Sequence, residues 1–189
     1  MKSQNQEQQG RKGITHKIKL AIMVVAVFAF AKANAQLNNP EAKKHHFGIG
    51  LNGGVTTGDY EDIYSSNIGL DLYYLYGISE KFYLGGSTGF ANYFGEDVNI
   101  PGLGEVEFDD AQFIPVAGSF RFSPFSNFAV GADVGYAIGV NDGNDGGFYA
   151  SPRATYFLAD KFPVFAGYRL IDLDGESLGS IQFGIGYKF

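Results

Sequence analysis

The sequence has 189 residues and a formal net charge of −6, with 27 Gly, 18 Phe and 12 Tyr but no Cys or Trp. This length suits one domain, and the lack of Cys excludes a disulfide framework and thiolate chemistry. Abundant Gly, Phe and Tyr favour short strands joined by tight turns over helices. We therefore expect an all-β fold.

Residues 1–35 have the features of a secretory signal peptide. Basic residues precede an apolar run at 20–31, and small residues follow at 33–35. This run of about twelve residues is too short to span a bilayer as a helix, so we expect cleavage rather than anchoring. Cleavage removes six basic residues and one acidic residue and leaves a net charge of −11, which argues against a nucleic-acid partner.

From residue 47 onward, large apolar residues alternate with small or polar ones. The clearest example is 180–189, where Ile181, Phe183, Ile185, Tyr187 and Phe189 alternate with Ser, Gln, Gly and Lys. Because successive side chains of a strand point to opposite faces, each such segment has one large apolar face. The pattern predicts eight strands, at 47–55, 68–76, 82–91, 114–122, 128–140, 148–158, 162–170 and 180–189.

The links between these predicted strands alternate in length. Short links lie at 77–80, 123–126 and 159–161, whereas longer links follow the first, third, fifth and seventh strands. Outer-membrane barrels have short turns at the periplasmic end and long loops at the other. We therefore predict a short periplasmic leader at 36–46 and a transmembrane barrel at 47–189.

The link between the third and fourth predicted strands also predicts their register. A three-residue turn at 101–103 places residues whose numbers sum to 204 opposite one another. The resulting pairs are Val98 with Val106, Phe90 with Ile114, Leu84 with Phe120, and Phe82 with Phe122. All lie on the apolar face, as cross-strand partners must.

Periodicity does not distinguish a membrane barrel from a soluble, lipocalin-like carrier, but side-chain size does. A soluble barrel needs many Lys and Glu on its outer face, whereas the second face here is mostly Gly, Ala and Ser, which suits a narrow lumen. The large apolar face should therefore contact lipid. Aromatic girdles are expected near the short turns (Tyr74, Tyr76, Phe82, Phe122, Phe128, Tyr156 and Phe162) and near the long loops (Phe90, Phe94, Phe148 and Tyr149).

Together, the signal peptide, strand number, loop asymmetry and final Gly-Ile-Gly-Tyr-Lys-Phe at 184–189 resemble a known family. The chain resembles small outer-membrane β-barrels of the OmpA/OmpX type, the outer membrane protein β-barrel domain or porin family proteins of Bacteroidetes-like bacteria. The resemblance implies a monomeric, eight-stranded, antiparallel up-and-down transmembrane β-barrel in the bacterial outer membrane. It also implies that Tyr187 and Phe189 form a signal read by the barrel-assembly machinery. Function does not follow from the fold.

Charged residues interrupt the small-residue face that is predicted to line the lumen. They are Asp71, Arg121, Asp133, Arg153, Arg169 and Lys188. Pairing of the fifth and sixth strands near Val140 and Phe148 would place Asp133 diagonal to Arg153. Because unpaired charges are costly in a narrow lumen, we predict an ion-pair plug. The alternative is that these charges set the selectivity of a narrow pore.

The long loops are acidic and contain no Lys or Arg. Their acidic residues are Asp59, Glu61, Asp62, Glu96, Asp97, Glu105, Glu107, Asp109, Asp110, Asp142, Asp145, Asp172, Asp174 and Glu176. They are interpreted as solvated loops that resist aggregation. Alternatively, they bind lipopolysaccharide phosphates through divalent cations or present a surface to a basic partner.

No catalytic residue, cofactor or metal site is predicted. The histidines are His16 in the signal peptide and His45 and His46 in the leader, so an activated nucleophile has no evident base. The segment 142–147 fails as an EF-hand because Gly146 occupies a ligand position. The sequence therefore favours a structural or surface-interaction role. The alternative is a narrow passive channel for small or hydrophobic solutes, as in OmpW-like relatives.

Overall fold

The computed structural model describes residues 44–100 and 104–189. The predicted signal peptide, nearly all of the predicted leader and the predicted turn at 101–103 lie outside these residues. The strands are β1 (His45–Gly58), β2 (Tyr64–Gly77), β3 (Phe82–Gly95), β4 (Asp97–Ile100), β5 (Gly104–Glu107), β6 (Ala111–Phe125), β7 (Phe128–Gly139), β8 (Gly147–Ala159), β9 (Phe162–Leu173) and β10 (Glu176–Lys188).

Eight of these strands form a closed antiparallel barrel in the order β1-β10-β9-β8-β7-β6-β3-β2, and β4 and β5 form a separate two-stranded sheet. The barrel closes where β1 pairs with β10, for example at Leu51 and Ile185. The β4–β5 sheet is an insertion between β3 and β6, so barrel strands otherwise pair in chain order. The predicted fold class is confirmed. Among the described residues, no helix has the length and apolar character needed to cross a bilayer.

The predicted register of the third and fourth strands is also confirmed. The observed pairs include Phe82 with Phe122, Leu84 with Phe120, and Val98 with Val106. One register thus continues from the barrel through the β4–β5 sheet, which extends the β3–β6 hairpin beyond the barrel wall.

The predicted register between β7 and β8 is wrong by four residues. Phe148 pairs with Tyr136 rather than Val140, and Asp133 pairs with Ser151. Because the shift is even, every side chain keeps its predicted face. Asp133 therefore remains diagonal to Arg153.

The long loop predicted after the seventh strand is a two-residue turn. β9 and β10 are joined by Asp174 and Gly175, and the turn is flanked by the pair Leu173 and Glu176. Both turn residues have positive φ, 56° and 96°, as a type I′ hairpin turn requires. Asp-Gly is a strong sequence signal for this turn, and it allows both strands to extend into the predicted loop.

β1 begins two residues earlier than predicted, so His45 and His46 lie on a strand rather than in a leader. The cause is the length of β2, which continues to Gly77 and offers His45 a partner in Tyr76. The His45 ring nitrogen Nδ1 also lies 2.8 Å from the Tyr74 hydroxyl.

The two faces of the barrel wall differ as the alternation predicts. Large apolar residues such as Phe183 (66% exposed) and Leu51 (58%) point outward, while Ser180 and Arg169 (both 0%) point inward. Tyr149 is a correction to the predicted girdle, since it is 2% exposed whereas its neighbour Phe148 is 50% exposed. Because successive residues alternate faces, only Phe148 of this pair lies on the outer surface.

Candidate functional site in the barrel lumen

Five charged side chains form a continuous chain of ion pairs across the lumen. Arg121 Nη2 lies 2.8 Å from Asp133 Oδ1, and Arg153 Nη2 lies 2.9 Å from Asp133 Oδ2. Arg153 Nη1 reaches Asp71 Oδ2 at 3.1 Å, and Arg169 Nη2 reaches Asp71 Oδ1 at 3.0 Å. These five residues are the predicted ion-pair candidates, and the structure brings all of them together. We call this set the arginine–aspartate chain.

The inward positions of five different strands hold the arginine–aspartate chain. Asp71 lies on β2, and its partners come from β6, β7, β8 and β9. The Arg169 and Asp133 side chains are 0% and 1% exposed, respectively. Three arginines share two carboxylates, so the chain carries one excess positive charge. Asp133 also accepts a hydrogen bond from the Ser119 hydroxyl.

Apolar side chains fill the lumen between the arginine–aspartate chain and the long loops. The buried cluster contains Ala91, Tyr93, Ala111, Phe113, Ala117, Ala137, Tyr149, Ile171 and Leu178. The rings of Tyr93 and Phe113 pack edge to face with centroids 5.8 Å apart. Small residues make room for the large ones, as at Ala137 (0% exposed). This half of the lumen is a packed core, and we call it the loop-side core.

A cavity of about 330 Å³ occupies the opposite, short-turn half of the lumen. Asp71, Arg121 and Arg153 line its inner end, and Tyr73 and Phe165 line its sides. Its outer end is formed by His46, Glu80, Lys81, Asp160 and Lys188, which belong to the short links and to the ends of β1 and β10. We call this space the short-turn cavity.

Glycines in the wall position the two rings beside the short-turn cavity. A Cβ at Gly48 would lie 2.2 Å from the Tyr73 ring, and one at Gly184 would lie 2.2 Å from the Phe165 ring. A larger residue at Gly48 would require the Tyr73 ring to move, and one at Gly184 would also meet the Leu51 backbone carbonyl. Gly48 and Gly184 therefore do not leave empty space but receive side chains from β2 and β9.

Lys188, the sixth predicted lumen charge, is not part of the arginine–aspartate chain. Its Nζ lies 5.4 Å from the centroid of the Phe157 ring, near the outer end of the short-turn cavity. The rings of Tyr187 and Phe189 pack against each other at 5.2 Å, and Phe189 is 46% exposed. Their role as an assembly signal stays a prediction.

Two acidic residues at the long-loop end fasten the loops to the barrel. Asp59 Oδ2 accepts hydrogen bonds from the Ser177 backbone N–H (2.7 Å) and hydroxyl (3.0 Å). These hydrogen bonds lower the pKa of Asp59, that of the backbone N–H contributing most. Asp110 accepts hydrogen bonds from Asn92 Nδ2 (2.9 Å) and the Gly95 N–H (3.1 Å). The prediction that these loops are simply solvated misses this structural role.

Further acidic residues of the predicted long loops lie around the same end of the barrel. Asp97, Glu105 and Glu107 are on the β4–β5 sheet, while Asp172 and Glu176 are on β9 and β10. Within residues 44–100 and 104–189, no group of three or more His, Asp or Glu side chains is arranged to hold a metal ion.

Burial and the neighbouring Glu176 raise the pKa of Tyr60 to about 12.

The large inward-facing side chains that decide how much of the lumen is open were not predicted from the sequence. The same alternation could have predicted that these side chains face inward, because each one neighbours an outward-facing residue. They are Tyr93, Phe113, Tyr149 and Phe165. Their ring positions depend on rotamers and on the glycines opposite, which alternation does not encode.

No protein-family model and no curated protein matches the chain. Among solved structures, it is similar to Ail, the attachment invasion locus protein of Yersinia pestis, with 18% identity and a TM-score of 0.53 over 77% of this chain and 97% of Ail. Ail in a phospholipid bilayer nanodisc gives 17% identity and a TM-score of 0.51 over 75% of this chain and 99% of that one.

A de novo designed transmembrane β-barrel is 14% identical, with a TM-score of 0.50 over 76% of this chain and 95% of the design. At these identities the similarities establish the fold alone. The described residues have the fold of the small outer-membrane β-barrels of the OmpA/OmpX type.

Proposed function

We propose that this chain is a closed, non-conducting barrel of the bacterial outer membrane that presents an ordered acidic surface at its long-loop end. In this proposal residues 1–35 direct export and are cleaved, and the barrel-assembly machinery inserts a monomer by recognising Tyr187 and Phe189. The role is structural and interactive, without catalysis.

The observation that carries the proposal is that two successive obstructions lie along the lumen, the arginine–aspartate chain and the loop-side core. The arginine–aspartate chain links opposite walls, and the loop-side core lies beside it with Tyr93, Ile171 and Leu178 all 0% exposed. A water path would have to disrupt the ion pairs of the arginine–aspartate chain and displace the packed side chains of the loop-side core. These features disfavour the alternative of a passive channel.

The acidic surface supports the interaction part of the proposal. Asp59 and Asp110 fasten the loops through hydrogen bonds, while Glu96, Asp97, Asp109 and Asp145 remain exposed. Oxygen ligands of this kind suit hard divalent cations. We propose that cations bridge this surface to the phosphates of neighbouring lipopolysaccharide.

Conductance tests the closed lumen. The protein purified from membranes and inserted in planar bilayers should give no steady single-channel current. The altered gel mobility of the barrel before heating verifies that it is folded. A variant with Tyr149→Ala and Arg153→Ala removes one large side chain from the loop-side core and one from the arginine–aspartate chain. This variant should show transient openings, and it serves as the control for insertion. Steady currents from the unmodified protein would overturn the closed-barrel proposal.

Thermal unfolding in defined bilayers tests the surface. Mg²⁺ should raise the unfolding temperature of the protein in bilayers that contain lipopolysaccharide and should have less effect in phosphatidylglycerol alone. A variant that carries Glu96→Gln, Asp97→Asn, Asp109→Asn and Asp145→Asn should lose the difference. An equal Mg²⁺ effect on both proteins would contradict cation bridging at these residues.

A further inference from the structure

We propose that the short-turn cavity binds small organic anions with an aromatic or similarly compact apolar body, of which arylcarboxylates are the simplest class. The site lies within the barrel, at the opposite end from the acidic surface. It does not depend on whether that surface binds lipopolysaccharide.

Charge favours an anion at the inner end of the cavity. Arg121 and Arg153 line this end, and the arginine–aspartate chain to which they belong has one more cation than anion. The carboxylates of Asp71 and Asp133 each already bind two arginines. The set as a whole therefore has one positive charge more than its carboxylates balance. Arg169 does not line the cavity, so an anion there would interact with this excess through Arg121 and Arg153.

Arg153 also has an unused donor. Its side chain is 8% exposed, and its Nε is buried without a hydrogen-bond partner. Leaving such a donor unpaired is unfavourable, and more so when the group is charged. Nε is shielded in this structure, so a turn of the guanidinium towards the cavity would be needed for a carboxylate to accept from it, and the charge-assisted hydrogen bond would then relieve this cost. The unpaired donor and the excess charge thus point to the same kind of ligand.

The sides of the cavity favour an apolar body rather than an inorganic anion. Tyr73, Leu75, Phe157, Pro163 and Phe165 line them. The Arg153 guanidinium carbon lies 5.0 Å from the centroid of the Phe165 ring, so the charged and aromatic surfaces adjoin. A volume of about 330 Å³ is near the lower end of the roughly 300–1,000 Å³ typical of ligand pockets. This size selects small molecules.

The outer end of the cavity bears charges of both signs. Lys81 and Lys188 are cationic, and Glu80 and Asp160 are anionic. Across the whole lining, four Lys and Arg side chains face three Asp and Glu side chains. Among the lining residues the positive excess is therefore at the inner end, where Arg121 and Arg153 accompany Asp71, so an anion should enter with its charged group leading towards Arg153.

Fluorine NMR of 4-fluorobenzoate with the protein in phospholipid nanodiscs tests the proposal. Empty nanodiscs report partition into lipid, and 4-fluorobenzyl alcohol serves as the uncharged analogue. We expect saturable binding of 4-fluorobenzoate to the protein, at least tenfold tighter than that of the alcohol. Binding equal to that of empty nanodiscs, or equal affinity for the alcohol, would overturn the proposal.

A matched pair of variants locates the site. Thr155 lines the cavity, whereas the adjacent Ala154 points outward and pairs with Val130. Thr155→Phe should weaken 4-fluorobenzoate binding at least tenfold, and Ala154→Phe should leave it unchanged. If Thr155→Phe does not fold, Lys188→Gln replaces it and should weaken binding several-fold. Undiminished binding in the folded cavity variant would refute the assignment.

Discussion

Asp71 and Arg153 form an ion pair across the full width of the barrel, with Asp71 Oδ2 3.1 Å from Arg153 Nη1 although the residues are 82 positions apart in the chain. Asp71 lies on β2 and Arg153 on β8, which are four strands apart in either direction around the barrel. Only a narrow barrel allows this contact. The pair therefore connects opposite walls, a connection that neighbouring-strand hydrogen bonds do not provide.

Removing Asp71 should strongly destabilise the barrel. Asp71→Asn leaves Arg153 and Arg169 without the carboxylate that they share, and loss of one partner of a buried pair costs about 3–5 kcal/mol. Urea unfolding of the protein in lipid vesicles measures this cost. Asp145→Asn removes the same charge from an exposed loop position, and it should change the free energy of unfolding by less than about 0.5 kcal/mol.

The same pair offers a double-mutant test. Replacing Asp71 with Leu and Arg153 with Met together removes both charges, so the double variant should be less destabilised than the sum of the two single variants. Arg169 would keep an unpaired charge, and the double variant should therefore remain below the unmodified protein. Strict additivity of the two single changes would contradict a direct interaction.

The outward face should tolerate charge only near the ends of the strands. Val134, near the middle of β7, is 49% exposed, and Leu158, near the short-turn end of β8, is 65% exposed. Val134→Arg should cost about 2–4 kcal/mol of unfolding free energy in lipid, and Leu158→Arg about 0–1 kcal/mol. Vesicle unfolding titrations of the two variants measure the difference. Equal costs would mean that this face does not cross hydrocarbon.

The alternation of large apolar and small residues was sufficient to predict which face of the barrel wall each residue occupies. The face depends only on whether a residue has an odd or an even position along its strand. For this reason Asp133 and Arg153 were placed together correctly even though the predicted β7–β8 register was wrong by four residues. Contacts between side chains on opposite sides of the lumen could not be predicted from the sequence. The meeting of Asp71 with Arg153 depends on barrel diameter, and the occupation of space at Gly184 by the Phe165 ring depends on rotamers.

Local turn chemistry was the other source of error. The seventh predicted strand ended at residue 170 and the eighth began at residue 180, which left a long link, yet Asp174-Gly175 is a two-residue turn. The prediction did not use the Asp-Gly dipeptide, which is a specific signal for such a turn. Pairing with β2 likewise drew His45 and His46 into β1, although their polarity favoured a leader.

The Asp174-Gly175 turn should depend on residues that accept positive φ. Asp174 has φ 56° and Gly175 has φ 96°, and a β-branched residue is strained in this region. Gly175→Val should lower the free energy of unfolding by about 1–3 kcal/mol. Asp174→Asn, which tolerates the same conformation, should have little effect. The reverse order of these two variants in vesicle unfolding would contradict the turn assignment.

Protonation of Asp59 should weaken the contact between its loop and β10, which the backbone hydrogen bond from Asp59 N–H to the Ser177 carbonyl also holds. The hydrogen bonds from Ser177 favour the carboxylate, so the pKa of Asp59 in the folded protein lies below the ordinary value of 3.8. At pH values above the ordinary pKa, the ionised carboxylate therefore contributes its full stabilisation to the folded contact. This contribution is lost as the pH falls through the lower pKa of the folded protein. Carboxyl carbon NMR should therefore give a titration midpoint below 3.8 for Asp59.

Ser177→Ala separates the two hydrogen bonds that the Asp59 carboxylate accepts. The backbone N–H, 2.7 Å from Asp59 Oδ2, is retained in this variant, while the hydroxyl at 3.0 Å is lost. Because the backbone hydrogen bond contributes most to the lowered pKa, the midpoint should rise only part of the way to the ordinary value. A midpoint of 3.8 in the unmodified protein would show that the contact does not form in solution. A full return in Ser177→Ala would show that the hydroxyl, and not the backbone, holds the loop.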